Sequence, residues 1–79
     1  MGLATTETEL ADKTRRFIKA ELKRADMTYE QLAEKLKPHG LIETKASIAN
    51  KLSRGTVGAT FLLATLAALE MEGIKLEDL

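Results

Sequence analysis

Residues 28–54, TYEQLAEKLKPHGLIETKASIANKLSR, constrain the fold more than any other stretch of the chain. Two short amphipathic helical patterns flank a Lys-Pro-His-Gly break. In the second pattern Ser47, Asn50, Lys51 and Arg54 follow one another at spacings of three, one and three residues. Side chains three, four and seven residues apart share a face of an α-helix. The other side carries Ala46, Ile48, Ala49 and Leu52, which are expected to pack inward. A short helix with an apolar back and a basic front fits the major groove of DNA.

A chain of 79 residues forms one small domain. It has no cysteine, so disulfides and thiolate metal sites are excluded, and one histidine, His39, cannot build a histidine zinc site. The longest largely apolar run, 59–69, is far shorter than the roughly 20 residues of a membrane span. The polar, acidic N-terminus does not read as a secretion signal. The expected location is therefore the cytoplasm.

Zero net charge hides an asymmetry. Residues 13–54 carry eleven Lys or Arg against five Asp or Glu, a net of +6, whereas 1–12 and 55–79 each carry −3. The basic segment contains the helical pair, which suggests that a polyanion meets the middle of the chain.

The first helix is expected to start near Thr6 or Thr8 and to run to about Ala25. Leu10, Phe17, Ile18, Leu22 and Ala25 form its apolar stripe. Lys13, Arg15, Arg16, Lys19, Lys23 and Arg24 form its basic side, which suits either solvent or backbone phosphate. The second helix starts at Thr28, where Thr28 and Gln31 fit a capping box, and Pro38 and Gly40 end it. Leu41 or Ile42 is expected to plug the core. Thr44 caps the third helix, which runs to Ser53 or Arg54 and stops at Gly55. The fourth covers roughly 59–72 and is apolar most of the way round, so one side is expected to meet another chain. A short segment, 74–79, closes the chain. The pattern predicts an all-α compact bundle of four main helices.

Met27 to Leu36 resembles the second helix of lambda-repressor-like (Cro-type) helix-turn-helix domains. Thr44 to Gly55 resembles their recognition helix with its closing Arg-Gly, and 74–79 is similar to their final segment. The core Ala-Ser-Ile-Ala-Asn-Lys-Leu-Ser-Arg-Gly also resembles that of small uncharacterised bacterial proteins. The resemblance covers about 17–79 and makes 1–16 an N-terminal extension of helix one. Two features depart from the family: the turn between helices two and three is about five residues longer, and Tyr29 stands where a glutamine commonly opens helix two.

The resemblance implies a single helix-turn-helix domain that binds double-stranded DNA as a homodimer and serves as a small bacterial transcriptional regulator. On that geometry Lys45, Ser47 and Asn50 are the base-reading candidates, because lysine donates to guanine and asparagine pairs with adenine. Tyr29, Gln31, Thr44, Lys51 and Arg54 suit phosphate. His39 lies beside Pro38 and Gly40 in an exposed loop. No nucleophile adjoins the histidine and no glycine-rich phosphate loop appears, so neither an enzyme nor a cofactor or small-molecule substrate is expected. The alternative is a protein–protein interaction module on the same fold, with no DNA binding.

Overall fold

In the computed structural model, which describes residues 6–79, four α-helices follow one another: α1 (Glu7–Arg24), α2 (Tyr29–Leu36), α3 (Lys45–Arg54) and α4 (Ala59–Ala68). Single 3-10 turns, Lys37–His39 and Leu76–Asp78, follow α2 and end the chain. There is no strand among the described residues, so the all-α bundle is as expected. Residues 1–5 of the N-terminal extension lie outside the described residues.

The starts of α1, α2 and α3 are written in hydroxyl side chains. Thr6, Thr28 and Thr44 each accept from the backbone amide three residues on, and Glu9, Gln31 and Ser47 answer by accepting from the cap residue's own amide. Each reciprocal pair satisfies two of the amides that a helix start leaves open. By contrast, α4 starts at Gly58 without a side-chain cap.

α1, α3 and α4 end in the same way, and α2 does so after its 3-10 turn. Met27, Leu41, Thr56 and Met71 donate their amides back to the carbonyls of Leu22, Leu36, Lys51 and Leu66, at 2.9–3.3 Å. The residue before each donor is left-handed: Asp26, Gly40, Gly55 and Glu70 have φ of 56, 81, 69 and 59°. This closure returns otherwise open carbonyls to their own helix and favours glycine at the left-handed position. Gly55 packs against α1, where a side chain at this position would touch Ala11 at 3.4 Å.

The core joins Ile18 and Leu22 of α1, Leu32, Ala33 and Leu36 of α2, Ile48 and Leu52 of α3, and Phe61 and Ala64 of α4. α2 is the hub, packed against both α3 and α4. Leu32, Leu36, Ile48 and Leu52 are 0% exposed, and burial of such side chains contributes about 1.5–3 kcal/mol each. Leu41 is the loop residue that packs on this core, while Ile42 points away at 81% exposure.

Several expectations change. α4 stops at Ala68 rather than near residue 72, because Glu70 turns left-handed before Gly73 is reached. Leu10 is 43% exposed and Ala25 is exposed, so the buried stripe of α1, Ile18 and Leu22, lies in its C-terminal half. Ala46 is exposed on α3, lying across the helix from Ile48 and Leu52. α4 hides Phe61, Ala64, Thr65 and Leu66, and Leu63 is its one large apolar side chain counted as exposed. No helix among the described residues is long and apolar enough to cross a membrane.

Candidate nucleic-acid interface

α3 turns two sides toward solvent, and they differ in what holds them. Glu43, just before the helix, tucks its carboxylate inward with 9% of the side chain exposed. It accepts from the Ser47 hydroxyl at 2.6 Å and pairs with Lys51 at 2.9 Å. Lys51 in turn lies over the Phe61 ring of α4, 5.3 Å from its centroid, where the negative face of the ring attracts a cation. Burial works to raise the pKa of the Glu43 carboxyl. Hydrogen bonds from Ser47 and Lys51, together with the Lys51 charge, outweigh it and hold the group below the ordinary glutamate range.

This cluster corrects the reading of two candidates. Ser47 and Lys51 do not project freely from a basic front. Ser47 belongs to the cap of α3, and Lys51 is committed to Glu43 and Phe61. A 2.9 Å partner on a poorly exposed carboxylate competes with any phosphate for the lysine.

The outermost face of α3 is instead formed by Ala46, Asn50, Ser53 and Arg54, all exposed. Asn50 and Arg54 are one turn apart and project together. Lys45 is exposed too, but five residues before Asn50 means a rotation of about 140° around the axis. The structure therefore does not bring Lys45 and Asn50 onto one face.

Lys45 belongs to a different group. It borders a surface depression of about 510 Å³ with Lys19 and Lys23 of α1 and Tyr29 at the start of α2. Leu22 and Met27 supply apolar lining, and Glu30 is the acidic residue at its edge. Two helices, α1 and α3, thus bring three lysines around one hollow at the start of a third. Tyr29 is half-buried against the core. Gln31 spends its side-chain oxygen on the Thr28 amide, and Thr44 accepts from Ser47. Both are exposed cap residues first. His39 is exposed, as expected.

Lys19 and Lys23 were not singled out within the basic run of α1, yet the sequence carries a signal for them. Arg15 and Arg16 share Asp12, and Arg24 pairs with Glu21, all at helical spacings of three or four. Lys19 has no acidic residue three or four positions away, and for Lys23 only Asp26 qualifies, beyond the helix end. Among the described residues Lys19, Lys23, Lys45 and Arg54 take part in no ion pair. No group of three metal-ligating side chains occurs among the described residues.

The molecule is thus a small all-α domain with a lysine-lined hollow beside an exposed helix. Residues 1–74 match the family described as a domain of unknown function, DUF6471, and the chain belongs to that family. No curated protein and no solved structure matches it.

Proposed function

We propose that this domain binds double-stranded DNA, with α3 as the recognition helix of a helix-turn-helix lengthened at its turn, in a small cytoplasmic transcriptional regulator. The observation that carries the reading is the convergence of Lys19, Lys23 and Lys45 from α1 and α3 beside the start of α2. Unpaired lysines at a helix start next to an exposed helix suit a phosphate backbone flanking a groove. Asn50 is the base-reading residue, with Arg54 beside it. Lys45 moves from base reading to phosphate contact, in company with Lys19 and Lys23. Lys51 and Ser47 hold the helix in place from behind. DNA-bound domains of this shape gain site length by pairing, and a homodimer on a two-fold site completes the proposal.

The alternative, a protein-interaction module, draws on the 64% exposure of Leu63 on α4. One exposed leucine is a small anchor against a three-lysine hollow, so DNA is the better-supported partner.

Binding to duplex DNA across a salt series tests the proposal. Log K is expected to fall linearly with log salt, with a slope of about −0.9 per phosphate neutralised. Lys19→Ala, Lys23→Ala and Lys45→Ala each reduce the slope by about one contact. Asn50→Ala leaves binding to random DNA intact and costs about 1–3 kcal/mol on a selected site. Charge reversal of Lys19, Lys23 and Lys45 in a folded variant, with no loss of DNA binding, would overturn the assignment.

A further inference from the structure

The lysine hollow gathers more charge at one point than a duplex backbone presents to it. Lys19, Lys23 and Lys45 line it with a single carboxylate, Glu30, so three positive charges against one negative leave two over. The other acidic residues close to these lysines in sequence are placed elsewhere. Glu21 pairs with Arg24, Glu43 pairs with Lys51, and Asp26 lines a separate depression with Gln31 and Lys35. α2 begins at Tyr29 and α3 at Lys45, so the positive ends of two helix dipoles add to the same potential. A phosphodiester carries one charge per phosphate, spread along a strand. A phosphate monoester concentrates about 1.5 to 2 charges at pH 7 in one group with three acceptor oxygens. Two excess charges around one hollow match the monoester.

The rest of the lining is suited to an apolar body. Leu22, Met27 and Tyr29 border the hollow. Met27 and Tyr29 are only half-buried against the core, so each keeps part of its surface open there. An aromatic ring of this kind stacks on any nucleobase, because every base has a π-face. Thr28 also lines the hollow. Its hydroxyl oxygen accepts from the Gln31 amide at 3.1 Å, which leaves the hydroxyl proton to donate outward. The volume, about 510 Å³, lies in the range of small-molecule sites, which combine an apolar lining with a few convergent polar groups.

We infer that the hollow binds a phosphate monoester carried on an aromatic base, the chemistry of a nucleoside monophosphate. The phosphate sits among Lys19, Lys23 and Lys45, and the base lies against Tyr29 and Met27. A nucleic-acid strand with a 5′-terminal phosphate presents the same group and is the second source of this chemistry. The inference goes beyond duplex binding and does not rest on it, because the charge excess and the apolar lining exist whether or not α3 enters a groove.

The test is a titration of the full chain, labelled with nitrogen-15, with adenosine 5′-monophosphate at constant ionic strength. Adenosine 3′,5′-cyclic monophosphate, which carries one charge, and inorganic phosphate, which has no base, are titrated separately. The 5′-monophosphate is expected to give saturable shifts at the Lys23, Tyr29 and Lys45 amides and to bind about tenfold more tightly than either, the loss of one charge-assisted or stacking contact. Lys19→Ala and Lys45→Ala, both at exposed positions, weaken it several-fold, and Glu30→Gln strengthens it. Lys75→Ala, at an exposed lysine outside the hollow, changes nothing. A short single strand with a 5′-phosphate identifies the source: tighter binding than the mononucleotide, through the same lysines, assigns the hollow to strand ends, and the reverse order assigns it to the free nucleotide. The inference is overturned by absence of saturation, or by a cyclic monophosphate or inorganic phosphate that binds as tightly as the 5′-monophosphate. It is equally overturned if Lys19→Ala and Lys45→Ala, shown by their spectra to be folded, bind as the parent does, or if Lys75→Ala loses as much as they do. Duplex DNA is absent from every one of these titrations, so they stand or fall apart from the salt series.

Discussion

α3 and α4 are each ten residues long, yet they hold their shape by different means. α3 is specified by its own sequence. A reciprocal Thr44–Ser47 cap opens it, Gly55 closes it, and it buries one narrow side through Ile48 and Leu52. α4 has no side-chain cap, closes on a left-handed glutamate, and relies on burial of Phe61, Ala64, Thr65 and Leu66. A helix specified by its own ends keeps its shape independent of its neighbours, and α3 does so. A helix inside the bundle can leave its shape to its neighbours, and α4 does so.

The sharpest way to break this contrast is to remove burial from α4. Phe61→Ala is expected to cost about 3–5 kcal/mol, a loss read as an early urea midpoint, and it also removes the ring beneath Lys51. An effect under 1 kcal/mol would mean that α4 is not held by its core contacts. For α3 the corresponding test is the cap. Thr44→Ala is expected to cost about 1 kcal/mol and to fray the first turn, seen as faster amide exchange at Ser47 and Ile48.

α4 also carries two local defects whose repair sharpens the comparison. The Thr65 hydroxyl is fully buried with no hydrogen-bond partner. Thr65→Val keeps the shape and removes the unpaired group, and is expected to stabilise by about 1 kcal/mol. Glu70 is left-handed where glycine is preferred. Glu70→Gly is expected to add about 0.5–1 kcal/mol, read as a higher Tm, whereas Gly55→Ala, at the equivalent position of α3, lowers it.

The smallest effect appears only with pH. Glu43 has a folded pKa below its ordinary value. Its contribution is present above the unfolded pKa and lost as pH falls through the folded one. Glu43→Gln is therefore expected to flatten the fall in Tm on acidification below the ordinary glutamate range. An unchanged acid limb would show that the Lys51 pair does not hold α3.

The same contrast explains what the sequence made legible. The starts of α2 and α3 were legible at Thr28, with Gln31, and at Thr44 because a cap is local, while the start of α1 was narrowed only to Thr6 or Thr8; Gly40 and Gly55 marked two ends for the same reason. The end of α4 was misread because glutamate gives no warning of a left-handed turn; only the closure onto Leu66 reveals it. In the candidate interface, Asn50 and Arg54 are exposed as the α3 pattern implied. The commitment of Lys51 and Ser47 was hidden because Glu43 lies outside the helical period, and its inward turn depends on Phe61 arriving from another helix. The lysine hollow joins residues 19 and 45, a distance no local pattern spans.

Because each helix end is closed by an amide lying five residues or fewer beyond it, only the first few residues of every connector are tied to the helix they leave. The part of the linker beyond Leu41 can therefore change in length without unravelling the end of α2, while Ile48 and Leu52 go on anchoring α3 in the core. Reach and anchorage become separately adjustable, so the bundle is a chassis on which selection can swap spacers and keep the working helix in place.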